Sequence, residues 1–227
     1  MEYMDFKRDG SVFIITMTDD ANANTITTGM LQELNLLFDE IEKTPGNAAL
    51  VLTSSSAKFW CNGINLQWLA GQGDEDRRTF LHEFKRTFLR ASLLNLPTVG
   101  CLTGHAFAGG AILAASMDFR TMRNDRAKFC LPEVTYGMPL GDTLMAVINN
   151  IPSPHAVQHL VLTGAQWKGV ECLNNNVITA IYPEEELMPS TLQLARDLAG
   201  KNRENYTGLK YDLKQSLLAM WTGQYIR

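Results

Sequence analysis

The stretch Gly104–Pro139 reads GHAFAGGAILAASMDFRTMRNDRAKFCLPEVTYGMP, and two features in it set the direction for the whole chain. Gly109-Gly110 stands directly before the apolar run Ala111-Ile112-Leu113-Ala114-Ala115. Glycines in that place let a backbone pass close to another segment and turn sharply into a helix. The first N–H groups of a helix have no intrahelical acceptor, so they favour negative charge, whether on a bound anion or developing during a reaction. Glu133 stands alone among apolar residues in Phe129-Cys130-Leu131-Pro132-Glu133-Val134. A carboxylate with such neighbours tends toward a raised pKa and can act as a base near neutral pH. The pattern alone also admits a plainer reading, with a tight helix start at Gly109-Gly110 and a solvated strand end at Glu133.

Upstream of this stretch, Ser11–Thr18 is rich in Val, Ile, Phe and Thr and reads as an opening strand. A loop of small polar residues, Asp19–Thr28, separates it from a helix over Met30–Ile41, where Leu31, Leu34, Leu37, Phe38 and Ile41 recur at helical spacing. Pro45-Gly46 ends that unit, and Ala49–Thr53 reads as a buried strand. The loop Ser54–Lys58 leads into Phe59-Trp60-Cys61-Asn62-Gly63-Ile64-Asn65-Leu66. Asp74-Glu75-Asp76 marks the first turn of a second helix, the sign its dipole favours. Phe80, Phe84 and Phe88 form the core stripe of this helix, Asn95-Leu96-Pro97 closes it, and Thr98–Thr103 is the next strand. Two strand-strand-helix units thus precede the glycine turn, a repeat visible in structure pattern but not in sequence.

Downstream, Leu144–Ile151 reads as a helix, with Asp142 as its cap before Thr143 in preference to a polar group of the pocket. Ser153-Pro154 supplies an N-cap and a first-turn proline, and Gly164 ends the helix they begin. His155 and His159 lie four apart on it, but no acid completes a metal motif, so they read as ordinary helix residues. A short helix over Gly169–Leu173 and a strand over Asn176–Tyr182 follow, and Pro183–Leu187 is an acidic helix start. The remaining tail is helical by pattern, with a polar break at Lys201–Thr207.

Composition narrows the function classes. The 227 residues, 45% hydrophobic and 19% charged, suit one globular domain. A net charge of −4 speaks against nucleic-acid binding. No apolar run reaches spanning length, and MEYMDFKRDG is too polar for a signal peptide, so no membrane association and a cytoplasmic location are expected. Cys61, Cys101, Cys130 and Cys172 stand far apart, as reduced thiols do. There is no Walker phosphate loop, dinucleotide fingerprint, nucleophile elbow or set of metal ligands.

The Gly104–Pro139 stretch and the upstream FWCNGINLQWL together resemble the crotonase superfamily of acyl-CoA hydratases and isomerases, most closely the Δ3,Δ2-enoyl-CoA isomerases. The shared marks are the Gly-Gly helix start, a Met-Arg-x-Asp-Arg turn, and a Glu followed by x-x-x-Gly-x-Pro, in matching order over residues from about 10 to about 185. The resemblance implies an α/β spiral of repeated strand-strand-helix units, with a core over residues 1–186 and a helical segment over 187–227 that serves subunit association. It implies that the Ile64 and Gly109 N–H groups hold a thioester oxygen and that Glu133 is the catalytic base. It places Lys58, Asn62, Gly63, Asn65, Leu66 and Gly110 against the substrate, with no cofactor beyond the CoA moiety and no metal. Family hydratases carry a second glutamate where this chain has Ile112, so the implied reaction is the one-base shift of a 3-enoyl-CoA to a 2-enoyl-CoA in fatty acid metabolism. Another crotonase-type reaction (hydratase, hydrolase or decarboxylase) and a non-catalytic acyl-CoA binder are the alternatives.

Family members form trimers or paired trimers, and Tyr206, Leu209, Tyr211, Leu213, Leu217, Leu218, Met220, Trp221, Tyr225 and Ile226 offer apolar surface for such a contact. Lys58, Lys210 and Lys214 are the candidates for the CoA phosphates, the last two acting across a subunit boundary.

Overall fold

The computed structural model describes residues 1–223. In chain order it contains β1 (Met4–Asp9), β2 (Val12–Met17), α1 (Thr28–Lys43), β3 (Ala49–Ser54), β4 (Phe59–Cys61), α2 (Leu66–Ala70), α3 (Asp74–Leu93), β5 (Thr98–Leu102), β6 (His105–Phe107), α4 (Gly109–Ser116) and β7 (Phe119–Arg123). The chain continues through β8 (Lys128–Cys130), α5 (Glu133–Tyr136), α6 (Gly141–Ile148), α7 (Pro154–Thr163), β9 (Gln166–Lys168), α8 (Gly169–Asn174), β10 (Ala180–Tyr182), α9 (Glu184–Ala199), α10 (Arg203–Leu213) and α11 (Gln215–Trp221).

Two sheets organise these elements. The larger has the order β1-β2-β3-β5-β7-β10, with only β1 antiparallel to its neighbour. The smaller has the order β4-β6-β8-β9, with β4, β6 and β8 parallel and β9 antiparallel. β1 and β2 both join the larger sheet, whereas the pairs β3-β4, β5-β6 and β7-β8 each send the first strand to the larger sheet and the second to the smaller, the α/β spiral that the resemblance implies. Parallel strands covered on both faces read as unbroken apolar runs, and β3 and β5 are buried at every position. Met30, Leu34, Phe38 and Ile41 of α1 and Phe80, Phe84 and Phe88 of α3 fill the main core.

Several boundaries differ from expectation. β1 is an edge strand with one buried residue, Met4, so its sequence carries no apolar run to read. The strand expected over Asn176–Tyr182 shrinks to β10, because Asn176 takes a left-handed turn (φ 57°) and Val177-Ile178 are drawn into the core. Asp142 is not a cap: α6 starts one residue earlier, Leu140 holds the cap position, and no side chain bonds the first turn. The Met-Arg-x-Asp-Arg turn is a structural clamp. Arg123 pairs with Asp125 and with Glu184, each at 2.6 Å, tying the end of β7 to the start of α9.

The residues after 186 pack on their own chain. Leu187, Ala195 and Ala199 of α9 cover Val12, Ala49, Val51 and Val99 on the far face of the large sheet. The boundary expected at residue 186 thus falls at the start of a helix that packs on the sheet. In α10, Lys210 donates to the Leu94 and Leu96 carbonyls and pairs with Asp118 at 2.7 Å. Lys214 donates to the Ser92 carbonyl and pairs with Asp118 at 2.8 Å. Both lysines were expected to meet CoA phosphates, and this is corrected: their charges are committed to Asp118 inside the protein. Leu217 is buried, whereas Leu209 and Leu213 face outward. Tyr225 and Ile226 lie outside the described residues.

Candidate active site

Three neighbouring parallel strands bring the site pieces to one edge. β4 runs into Asn62-Gly63-Ile64, β6 into Ala108-Gly109, and β8 into Leu131-Pro132-Glu133. Adjacent strands lie about 4.8 Å apart and point the same way, so segments far apart in sequence leave the sheet side by side. Ligands of parallel sheets gather at such carboxyl ends.

The Ile64 N–H is left free by its neighbours. Ile26 donates to the Gly63 carbonyl (2.8 Å) and accepts from Asn65 N–H (3.1 Å), a one-residue parallel bridge between Ile26 and Ile64. Successive peptide groups of an extended segment point to opposite sides. With residues 63 and 65 turned toward Ile26, the N–H of Ile64 faces the other way and has no acceptor among the described residues. Gly63 stands at φ 82°, and a Cβ there would come within 3.0 Å of the Gly109 nitrogen, so the two segments touch.

Gly109 is the first residue of α4, and its N–H is likewise without an acceptor among the described residues. Gly110 sits against the Cys61 carbonyl, with which any side-chain carbon would collide. The glycine pair therefore lets α4 begin directly on β4. Ala108, just before it, holds φ 48° and ψ −124°, a conformation that suits glycine and is strained for alanine. Strain of this kind often marks functional backbone.

Glu133 opens the short helix α5 and is 9% exposed. Its Oε2 is buried without a hydrogen-bond partner. Desolvation holds its pKa above the usual range, with its own backbone N–H pulling weakly the other way. The plainer reading of a solvated strand end is thereby corrected: the residue is buried, and it begins a helix. Burial pushes the thiols of Cys61 and Cys130, at the ends of β4 and β8, up to about 12 and about 11, so neither is a thiolate nucleophile at neutral pH.

The other expected site residues divide. Asn62 is half-buried, and Asn65 caps α2, its Oδ1 accepting from Trp68 N–H at 2.9 Å. Leu66 is exposed beside them. Ile112 is 1% exposed, within the core cluster. Lys58 is exposed at the opposite end of β4. Partial burial, and then the charges of Lys128, Lys58 and Arg126, hold the His105 imidazole below its usual range, so these cations form one basic edge. Asp142 is exposed, and no metal-ligating cluster occurs among the described residues. A groove of about 850 Å³ between α1 and α3, lined by Leu31, Leu36, Trp68 and Phe80, includes none of Ile64, Gly109 and Glu133. Sequence reading missed Ile26, whose pairing becomes visible only when the chain is folded.

Residues 7–224 match the family model described as enoyl-CoA hydratase/isomerase. Enoyl-CoA delta isomerase 3 of Arabidopsis thaliana is 29% identical over 225 residues, 94% of this chain and 93% of that protein. Enoyl-CoA delta isomerase 2, peroxisomal, of the same plant is 29% identical over 221 residues, 93% and 92% of the two chains. Among solved structures, a probable enoyl-CoA hydratase from Mycobacterium tuberculosis superposes with a TM-score of 0.87 at 23% identity, covering 97% of this chain and 92% of the other.

Proposed function

This chain belongs to the enoyl-CoA hydratase/isomerase family, and within that enzyme family we propose that it moves the double bond of a 3-enoyl-CoA to the 2-position. Glu133 takes a proton from C2. The C–H electron pair becomes the new bond of a dienolate whose charge rests on the thioester oxygen. The Ile64 and Gly109 N–H groups hold that oxygen, and fixed donors of this kind act most strongly when the charge is fullest. Glu133 then returns the proton to C4, which leaves the C2–C3 double bond and restores the carbonyl. One base and two backbone donors complete the cycle, and no redox partner is needed.

The observation that carries this reading is the buried Glu133 carboxylate, its Oε2 without a partner, at the same sheet edge as two N–H groups without acceptors among the described residues. Ile112 supports isomerisation over hydration, because an apolar side chain at that position removes the second carboxylate that would orient a water. The test is incubation with 3-enoyl-CoA and with 2-enoyl-CoA, following bond position and hydration in parallel. Isomerisation without hydration is expected. Hydration as the faster reaction overturns the proposal, as does acyl-CoA binding without turnover.

Lys58, joined by Arg126 and Lys128, is proposed to meet the CoA phosphates, and Asn62, Gly63, Asn65, Leu66 and Gly110 to line the thioester and pantetheine. CoA is the only cofactor-like group in this scheme. A homotrimer or a dimer of trimers is the proposed assembly, with residues 187–227 as the segment at the contact; the outward Leu209 and Leu213 support it. No helix among the described residues is long and apolar enough to cross a membrane. The cytosol is the proposed compartment, supported by four free, buried cysteines.

A further inference from the structure

We infer that Asn24 is a positioning residue for the oxyanion donors, its buried carboxamide fixing the segment that aims the Ile64 N–H; the inference rests on the reaction proposed above. Asn24 is 0% exposed. Its Nδ2 donates to Ser54 Oγ (2.8 Å), to the Phe59 carbonyl (3.1 Å) and to the Trp60 carbonyl (3.2 Å). Both carbonyls belong to β4, the strand that runs into Ile64.

The backbone around Asn24 continues the same attachment. The Ala23 carbonyl accepts from Asn62 N–H (3.2 Å), and Ile26 bonds both Gly63 and Asn65. Residues 23–26 therefore lie alongside residues 59–65, held at the β4 end by the Asn24 amide and at the far end by Ile26. A shift of this template rotates the Ile64 peptide, and a donor aimed away from the developing oxyanion loses most of its effect.

Two facts separate this role from an ordinary turn asparagine. Asn24 stands at φ 49°, a region asparagine tolerates, yet Ala23 holds φ 55° beside it with no polar side chain. The backbone conformation therefore does not by itself call for an amide. In addition, Asn24 Oδ1 is buried with no partner, an unfavourable state that a small apolar residue would avoid. What the amide supplies in exchange is donation to two successive carbonyls of β4.

The test uses the full-length protein with Asn24→Asp and Asn24→Gly. Aspartate keeps the shape but, when ionised, can only accept, so it turns an acceptor toward three oxygens. Glycine keeps the left-handed backbone and removes the side chain. For either folded variant, kcat on 3-enoyl-CoA is expected to fall about 10²–10³-fold, the effect of losing one oxyanion donor. The Kd of unreactive hexanoyl-CoA should stay within about threefold, because ground-state binding uses the donor least. The pH at which kcat/KM rises should not move, since it reports Glu133. A folded variant with kcat near the parent's overturns the inference, as does a change confined to KM or a displaced pH limb. Loss of folding in both variants would make Asn24 a stability residue and overturn it too. An inactive parent protein would instead count against the proposed reaction.

Discussion

Burial gives the Glu133 carboxylate both its basicity and its cost. A glutamate whose folded pKa lies above its unfolded value adds stability below the unfolded value and loses it as pH rises through the folded one. Desolvation raises Glu133 in this sense, so once pH passes its folded value the ionised form weakens the fold. Glu133→Gln is therefore expected to melt no lower than the parent at pH 8, with the difference closing in acid, while kcat drops about 10²–10⁴-fold. Melting curves and turnover measured across pH check both halves; a destabilised variant that kept its activity would remove Glu133 from proton transfer. The rising limb of kcat/KM should lie above the ordinary glutamate range and vanish in the variant. At Ile112, 1% exposed, substitution by Glu puts a carboxylate into the core, so a lower melting temperature is expected alongside hydration of 2-enoyl-CoA above background. If the variant folds and shows no hydration, the identity of residue 112 does not select the reaction.

Helix α10 is fastened by charge as well as by apolar packing. The Asp118 side chain is only 8% exposed, and its desolvation alone would raise its pKa, but the ammonium groups of Lys210 and Lys214 pull it below the usual aspartate range. Its contribution to stability is therefore present above the ordinary aspartate pKa and lost as pH falls through the lowered folded value. Asp118→Asn strands two ammonium groups in the interior, for which a loss of about 3–5 kcal/mol is expected in denaturant titration near neutral pH. The variant should also lose less stability than the parent when pH is lowered through the acid range. A loss under 1 kcal/mol would mean that α10 is held by other contacts. This attachment carried no sequence signal, because Asp118 and Lys210 stand 92 residues apart and look like any surface pair.

At the level of the whole molecule, an acidic protein must hold an anionic CoA through local charge. The basic edge of Lys58, Arg126 and Lys128 is exposed or half-exposed and is open to salt screening, whereas the backbone donors at the other end of the strands are sheltered. KM for the thioester should therefore rise with ionic strength while kcat stays nearly constant, and replacing all three by Ala should raise KM and flatten the salt response. An unchanged KM and salt response would make them ordinary surface charges. For assembly, light scattering at micromolar concentration is expected to give a trimer or a hexamer; a monomer mass would mean that the C-terminal helices serve only their own chain, as the buried Lys210 and Leu217 and the Asp118-bound Lys214 already do.

The sequence by itself determined the family, implied the spiral architecture through that resemblance, and singled out Gly109 and Glu133 as candidate site residues. The marks that carry the resemblance are matters of local order: a glycine pair before a helix, an acid among apolar neighbours, and their spacing along the chain. The tertiary structure decided what the residues do relative to one another. It showed that the Ile64 N–H lacks an acceptor because Ile26, 38 residues earlier, binds the groups on either side. It moved Lys210 and Lys214 from candidate phosphate ligands to partners of a buried aspartate. It also distinguished Asn24 from Asn22, near neighbours in one polar loop, by sending only Asn24 into the core. Hydrogen-bond direction and burial are properties of segments brought together by folding, and along the chain these residues carry no trace of their eventual partners.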